Sequence, residues 1–142
     1  MTVNGALDWL MGSRFRGAPA YLTTAIRIVT GALFVSFSIG KFVDHMQEAM
    51  DFESYGVPVH DVAVYAVGVL ELVGGLLLVV GLFTRLAAVL LAANMVGAIS
   101  TAGVMEGGSF HLGVAPAMLV AMLFLVWAGS GVLALDLSLI HI

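Results

Sequence analysis

Cysteine is missing from this chain. With no thiol it makes no disulfide, runs no thiol exchange, and offers no thiolate to an iron–sulfur cluster or a metal site, so any redox role falls to a bound cofactor or a partner. Charge is scarce as well. Five Lys and Arg and nine Asp and Glu among 142 residues leave a formal net charge of -4, and no basic run supplies the electrostatic footprint that nucleic-acid binding needs. Histidine is sparse and none falls in the centre of an apolar block, which argues against bis-histidine haem. The few His and carboxylates match no metal-ligand spacing, so no structural metal is expected.

What the chain has in abundance is apolar surface. At 61% hydrophobic residues and a mean hydropathy of +1.11 it is too apolar for a soluble domain that must face water. The apolar residues fall in four blocks, at 21–42, 61–82, 85–105 and 112–135. Each can supply the roughly 20 helical residues that cross a hydrocarbon core. The expected fold is therefore all-α, a polytopic membrane protein built as a four-transmembrane-helix bundle in contact with the lipid bilayer. Residues 1–20 form an N-terminal cytoplasmic or interfacial segment and residues 21–142 the membrane domain, with no room for a soluble catalytic domain. The first block is span-length, so it reads as a retained helix and not a cleaved signal. Ahead of it, Val3, Leu7, Trp9, Leu10 and Met11 suit a short interfacial helix, with a disordered tail as the alternative.

Basic residues set the expected orientation. Arg14 and Arg16 precede the first span and Arg85 closes the turn after the second, against Lys41 alone at the other side, which predicts both termini on the cytoplasmic side. Between the first two spans, Tyr55-Gly56-Val57-Pro58 reads as a turn and the run from Met46 to Met50 as a short surface helix.

Ionisable groups inside spans are costly and direct attention to function. Arg27 lies about two turns into the first span, on a polar or small stripe with Thr23, Thr30, Gly31, Phe34, Ser38 and Lys41. Glu71 sits near the middle of the second, with Gly68 before it and Gly74 and Gly75 after it, so a neighbouring helix can approach closely. An Arg27–Glu71 ion pair is the expected partnership. Asn94, on a face shared with Gly97, Ala98 and Thr101, is the third member. Two readings stand side by side: a site for a small polar or quinone-like head group, and interhelical glue without chemistry. At the other side Lys41, Asp44, His45, Glu48, His60, Glu106 and His111 form a looser set, with Lys41 and His111 as secondary candidates and solvated loop positions as the plainer reading.

Arg27-(x)3-Gly31-(x)2-Phe34-(x)5-Gly40-Lys41, Glu71-(x)2-Gly74-Gly75-(x)5-Gly81-(x)2-Thr84-Arg85-(x)1-Ala87-Ala88, and the pattern of His111, Pro116 and Gly129-Ser130-Gly131-(x)4-Asp136 together resemble the DoxX family of small bacterial membrane proteins. The resemblance implies a four-helix bundle in the bacterial plasma membrane and a connection to oxidoreduction. Family members include a membrane subunit of a thiosulfate:quinone oxidoreductase, and mycobacterial relatives are linked to a complex coupling thiol handling to oxidant defence. It supplies no catalytic residue set to transfer. The leading expectation is a membrane subunit of an oxidoreductase complex, with a quinone between helices, Arg27 or Asn94 donating to it and Glu71 relaying a proton. As an enzyme it would be at most one quinone-linked subunit dependent on a redox partner. The alternative is a non-catalytic scaffold or assembly subunit whose small-residue stripes, Ala32, Ser36 and Gly40 or Ala93, Gly97 and Thr101, pack other membrane proteins. A conducting path from Arg27 through Glu71 and Asn94 ranks last, because four helices enclose little lumen.

Overall fold

A computed structural model describes residues 3–140, the side chains of Val3, Asn4, Leu7 and Ile140 excepted. Long runs of Leu, Val and Ala fold into helices because lipid forces the backbone to satisfy its own hydrogen bonds. The order is α1 (Val3–Met11), α2 (Ala18–Val43), α3 (His45–Ser54), α4 (His60–Val80), α5 (Thr84–Ala98), α6 (Ala115–Ala128) and α7 (Leu135–Ile140). Among the described residues there is no strand. Four helical stretches are long and apolar enough to cross a membrane: Ala18–Val43, His60–Val80, Thr84–Gly103 and Phe110–Ala128. The last two each contain a π-helical turn, Ile99–Gly103 and Phe110–Val114.

The fourth span is shorter than its hydropathy indicates. Residues 129–134 continue the apolar composition, but Gly129 and Gly131 take positive φ and the helix stops at Ala128. The short N-terminal helix is present as α1; Val3 and Leu7, two of the residues expected on its apolar face, lie outside the described side chains. The surface helix expected between the first two spans is α3, longer than the Met46–Met50 run.

Helix α2 packs along α4, and α5 along α6; α4 and α5 meet over a shorter length. Glycine decides the first of these contacts. A Cβ on Gly31 would lie 2.7 Å from the Gly75 carbonyl, and one on Gly75 2.7 Å from the Gly31 carbonyl, so the α2–α4 crossing exists only because both side chains are absent. The apolar core joins Phe34 and Leu78 to Leu91, Met95, Met118, Met122 and Leu125. Outward, Val29, Val69, Val73, Leu86, Leu90, Val120 and Leu123 are exposed, the surface a bilayer covers.

Both chain ends gather at one end of the bundle. Arg14 N–H donates to the Ala128 carbonyl and Asp136 N–H to the Gly81 carbonyl. The stretch after α6 is clamped from several sides. Arg27, fully buried, donates from Nη1 to the Ser130 carbonyl at 2.7 Å and from Nη2 to the Leu133 carbonyl at 2.9 Å. Thr24 Oγ1 donates to the Val132 carbonyl and accepts from Val132 N–H. The Asp136 carboxylate accepts from the N–H groups of Phe83 and Thr84, capping the start of α5, where free N–H groups and the helix dipole favour an anion.

Candidate functional site

The opposite end of the bundle is open. A cavity of about 560 Å³ lies between α2, α3, α4, α5 and the π turn at Phe110–Val114. Glu71 of α4 is at its floor, buried to 4% exposure. Asn94 Nδ2 on α5 donates to Glu71 Oε1 at 2.9 Å, and Lys41 Nζ on α2 lies 2.9 Å from Oε2. Oε2 is fully buried, and the ammonium at hydrogen-bonding distance is its ion-pair partner.

Lys41 reaches this depth from the far end of α2 because Gly68 makes way for it. A Cβ on Gly68 would come within 3.1 Å of the Lys41 Cβ, so the two helices touch there and the lysine stem turns inward along α4 to Glu71, one turn away. Its ammonium also lies 3.4 Å from the Phe37 carbonyl. Lysine's flexible four-carbon stem permits this inward reach.

The expected Arg27–Glu71 pair is therefore not formed. Arg27 lies beside Gly81, where an added Cβ would collide with its guanidinium. Gly81 is ten residues beyond Glu71 on the same helix, about 15 Å along the axis. Nor does Arg27 extend to the headgroups; backbone carbonyls of residues 130 and 133 take its charge-assisted hydrogen bonds. Its separation from Glu71 also interrupts the path that would run from it to Asn94. Of the five candidates singled out in the sequence, four meet at one site: Glu71, Asn94, Lys41 and His111 all line the cavity. The two candidates drawn from the far side belong with the span centre, and Arg27 belongs to the clamp.

Above the polar floor the walls are aromatic and small. Phe37, Phe52, Tyr55, Phe110 and His111 face Ala63, Val67, Gly97 and Ala98. Phe37 and Phe110 meet edge to face with centroids 5.1 Å apart, and Tyr55 meets His111 at 5.6 Å. The two π turns contribute Thr101, Ala102, Phe110 and His111 to the lining. Such turns widen a helix locally and recur at functional sites. Helix α3 lies over the cavity through Glu48, Asp51 and Phe52, and Ser54 Oγ contacts Glu106 Oε1 at 3.4 Å. The Tyr55 phenol is pushed up to about 12, first by burial and then by the negative charges of Glu106, Asp51 and Glu48. It therefore remains a neutral hydrogen-bond donor throughout the physiological range.

Of the other far-side residues, Glu48 lines the cavity and the rest fall outside it. His45 stacks on Tyr65 with centroids 3.9 Å apart and sits 3.7 Å from Asp61; Asp44 and Glu106 are exposed and His60 is half-buried. Phe52, Tyr55 and Phe110 were not legible as site residues, since nothing in their local sequence separates them from ordinary interfacial aromatics. The single usable signal was Gly68, whose missing side chain marks where the lysine passes.

The DoxX family model matches residues 22–104, and the chain belongs to that family. An uncharacterised membrane protein of Mycobacterium tuberculosis is 34% identical, over 96% of this chain and 91% of its own length. CatD of Bacillus subtilis, provisionally named an oxidoreductase, is 33% identical over 80% of this chain and 84% of its own. An uncharacterised protein of Haemophilus influenzae is 33% identical over 82% and 89%. No solved structure matches the chain.

Proposed function

We propose that this DoxX-family protein is a membrane subunit of an oxidoreductase complex and binds a quinone, or a lipid-soluble molecule with a similar head, in the cavity above Glu71. The observation that carries the reading is the cavity itself, with aromatic walls above a floor where Glu71, Asn94 and Lys41 converge. A mostly apolar pocket with a few convergent polar groups is the usual form of a small-molecule site, and the provisional oxidoreductase name of CatD agrees with it. A bound quinone supplies two-electron, two-proton chemistry. The chain's own residues supply the rest. Lys41 and Asn94 carry the N–H donors that a head-group oxygen needs, His111 and the neutral Tyr55 phenol stand higher in the walls, and Glu71 can exchange a proton with the head group. Electrons come from a partner subunit, because this chain has neither thiol nor cluster ligand to carry them. Arg14, Arg16 and Arg85 at the end bearing the termini favour an orientation with both termini in the cytoplasm, in the plasma membrane of a bacterium.

The test is extraction of the protein from its native membrane in mild detergent, with analysis of retained quinones, beside a partner-dependent quinone-reduction assay of wild type and Glu71→Gln. The reading requires a co-purifying quinone and loss of activity in the variant. Purified protein without quinone, together with unchanged reduction by Glu71→Gln, refutes it.

A scaffold role has one observation in its favour: Ala32 and Ser36 are exposed along the outward face of α2, small enough for another helix to approach. Unchanged abundance of every co-purifying protein when the gene is deleted removes this second reading.

A further inference from the structure

The Glu71 cavity is bounded unevenly. On the α3 side its lining residues Glu48, Asp51, Phe52, Tyr55 and Val57 are each half-buried, whereas Ala93 and Gly97 of α5 are lining residues that are also exposed. A Cβ at Gly97 would meet nothing within 4 Å. These two positions flank Asn94, which is bonded to Glu71 of α4, on the membrane-crossing length of α5. The cavity thus opens sideways toward lipid between α4 and α5, through a rim from which bulk is missing. The two helices are joined at the Gly81–Phe83 turn and bridged again by the Asn94–Glu71 hydrogen bond.

A second, independent feature continues from this opening. An apolar groove of about 350 Å³ runs between the same two helices toward the turn, lined on α4 by Val69, Val73 and Leu77 and on α5 by Leu86, Ala87 and Leu90. Leu90 and Ala93 are three residues apart, so on an α-helix they are neighbours, and the groove begins where the cavity's rim ends. A polar, hydrogen-bonding floor leading to a dry groove at the lipid surface fits one kind of occupant.

We infer that the site takes an amphiphile from within the bilayer, its head passing laterally between Ala93, Gly97 and α4 to reach Glu71 and its hydrocarbon chain lying in the α4–α5 groove. The inference rests on the head-group reading above and adds the class of ligand and its route. The head is not anionic. Lys41, the cation of the lining, is already matched by Glu71, and Glu48 and Asp51 add negative charge on the α3 side. An anionic head would meet net repulsion and a neutral one with carbonyl or hydroxyl groups would not.

The test compares two probes on full-length protein in lipid nanodiscs by titration calorimetry: a benzoquinone bearing a ten-carbon chain, and the same head without the chain. Wild type is expected to bind the chain-bearing probe at least ten-fold more tightly. Gly97→Phe, which adds bulk at the rim where a Cβ meets no neighbouring atom, and Ala93→Phe, a second variant on the same face, are expected to weaken the chain-bearing probe at least ten-fold and the tailless head by a several-fold smaller factor. Equal affinity of the two probes for wild type overturns the groove. Unaltered binding in both phenylalanine variants, or equal weakening of both probes, overturns the lateral route. If neither probe binds wild type, the head-group reading itself falls.

Discussion

Replacing Lys41 with methionine leaves the stem of the side chain and strips Glu71 of its counter-ion. The two charges are 2.9 Å apart, with side chains 11% and 5% exposed. At an effective dielectric of about 20 their attraction is roughly 6 kcal/mol, of which the cost of desolvating both ions cancels a large part. Once the ammonium is gone, the carboxylate keeps the Asn94 amide as its sole hydrogen-bond partner. Breaking a buried pair from one side typically costs about 3–5 kcal/mol, and Lys41→Met belongs in that range. Glu71→Gln is milder, about 1–3 kcal/mol: the amide can still accept from Asn94, and the lysine, freed at the end of α2, can turn back toward water. Combining the two removes the stranded charge altogether, so the double variant should be more stable than the sum of the singles by about 2 kcal/mol or more. Equilibrium unfolding in mixed micelles by sodium dodecyl sulfate, followed by circular dichroism and tryptophan fluorescence, measures all three. Additive effects, or a Lys41→Met cost below about 1 kcal/mol, would refute the argument that the pair is desolvated and coupled.

Gly75→Ala places a Cβ against the Gly31 carbonyl and the Val35 backbone and should cost about 1–3 kcal/mol in the same unfolding assay, whereas Gly97→Ala, with open space around it, should be neutral or stabilising by up to about 1 kcal/mol. Arg27→Lys cannot serve the Ser130 and Leu133 carbonyls together and should lose about 1.5–3 kcal/mol; limited proteolysis should then cut within residues 129–134, which wild type protects. Tyr55 should ionise near pH 12 in the absorbance difference between wild type and Tyr55→Phe, and Glu106→Gln should move that transition down. Because its folded value is raised, its stabilising contribution is complete below about pH 10, the unfolded value, and is lost as pH rises toward 12.

Hydropathy and periodicity made the spans legible, because in lipid a helix must be both long and apolar. The faces of α4 and α5 were legible for a related reason: Gly68, Gly74 and Gly75 near Glu71, and Gly97 and Thr101 near Asn94, are small where a neighbour or a cavity comes close. What failed was depth. Arg27 and Lys41 both have long stems, and a sequence does not say which way a stem turns. Lys41 looked like a solvated end residue and points inward; Arg27 looked like a partner for Glu71 and is held by carbonyls more than a hundred residues away. The fourth span ran too long because Gly129–Ala134 is as apolar as a helix while its glycines take conformations that end one. Cavity walls from α3 and the Phe110 turn are tertiary facts, assembled from segments that carry no common local pattern.

The two ends of the bundle treat buried polarity in different ways: one is closed by side chains bonded to backbone groups, the other places its ion pair beside a cavity. Among the described residues four buried side-chain polar atoms have no hydrogen-bond partner: Arg27 Nε, Thr84 Oγ1, Arg85 Nε and Glu71 Oε2. The first three lie at the clamped end and line neither the cavity nor the groove. Around them Arg27 already makes two charge-assisted bonds and Asp136 two more, so that end is a closed frame in which a ligand has no place to enter. Glu71 lines the open cavity, with Oε2 itself buried against the Lys41 ammonium. A ligand hydroxyl, as in the reduced quinol form of a quinone, can donate to the Glu71 carboxylate, and a hydrogen bond to a charged group is worth about 1.5–3 kcal/mol. Ligand binding that supplies the donor then stabilises the fold by linkage, by about 2.7 kcal/mol at a hundred-fold excess over Kd. In the unfolding assay that stabilisation should appear in wild type and vanish in Glu71→Gln, while ligand leaves the proteolytic protection of residues 129–134 at the clamped end unchanged. Equal stabilisation of wild type and variant would show that the carboxylate is not what the ligand completes.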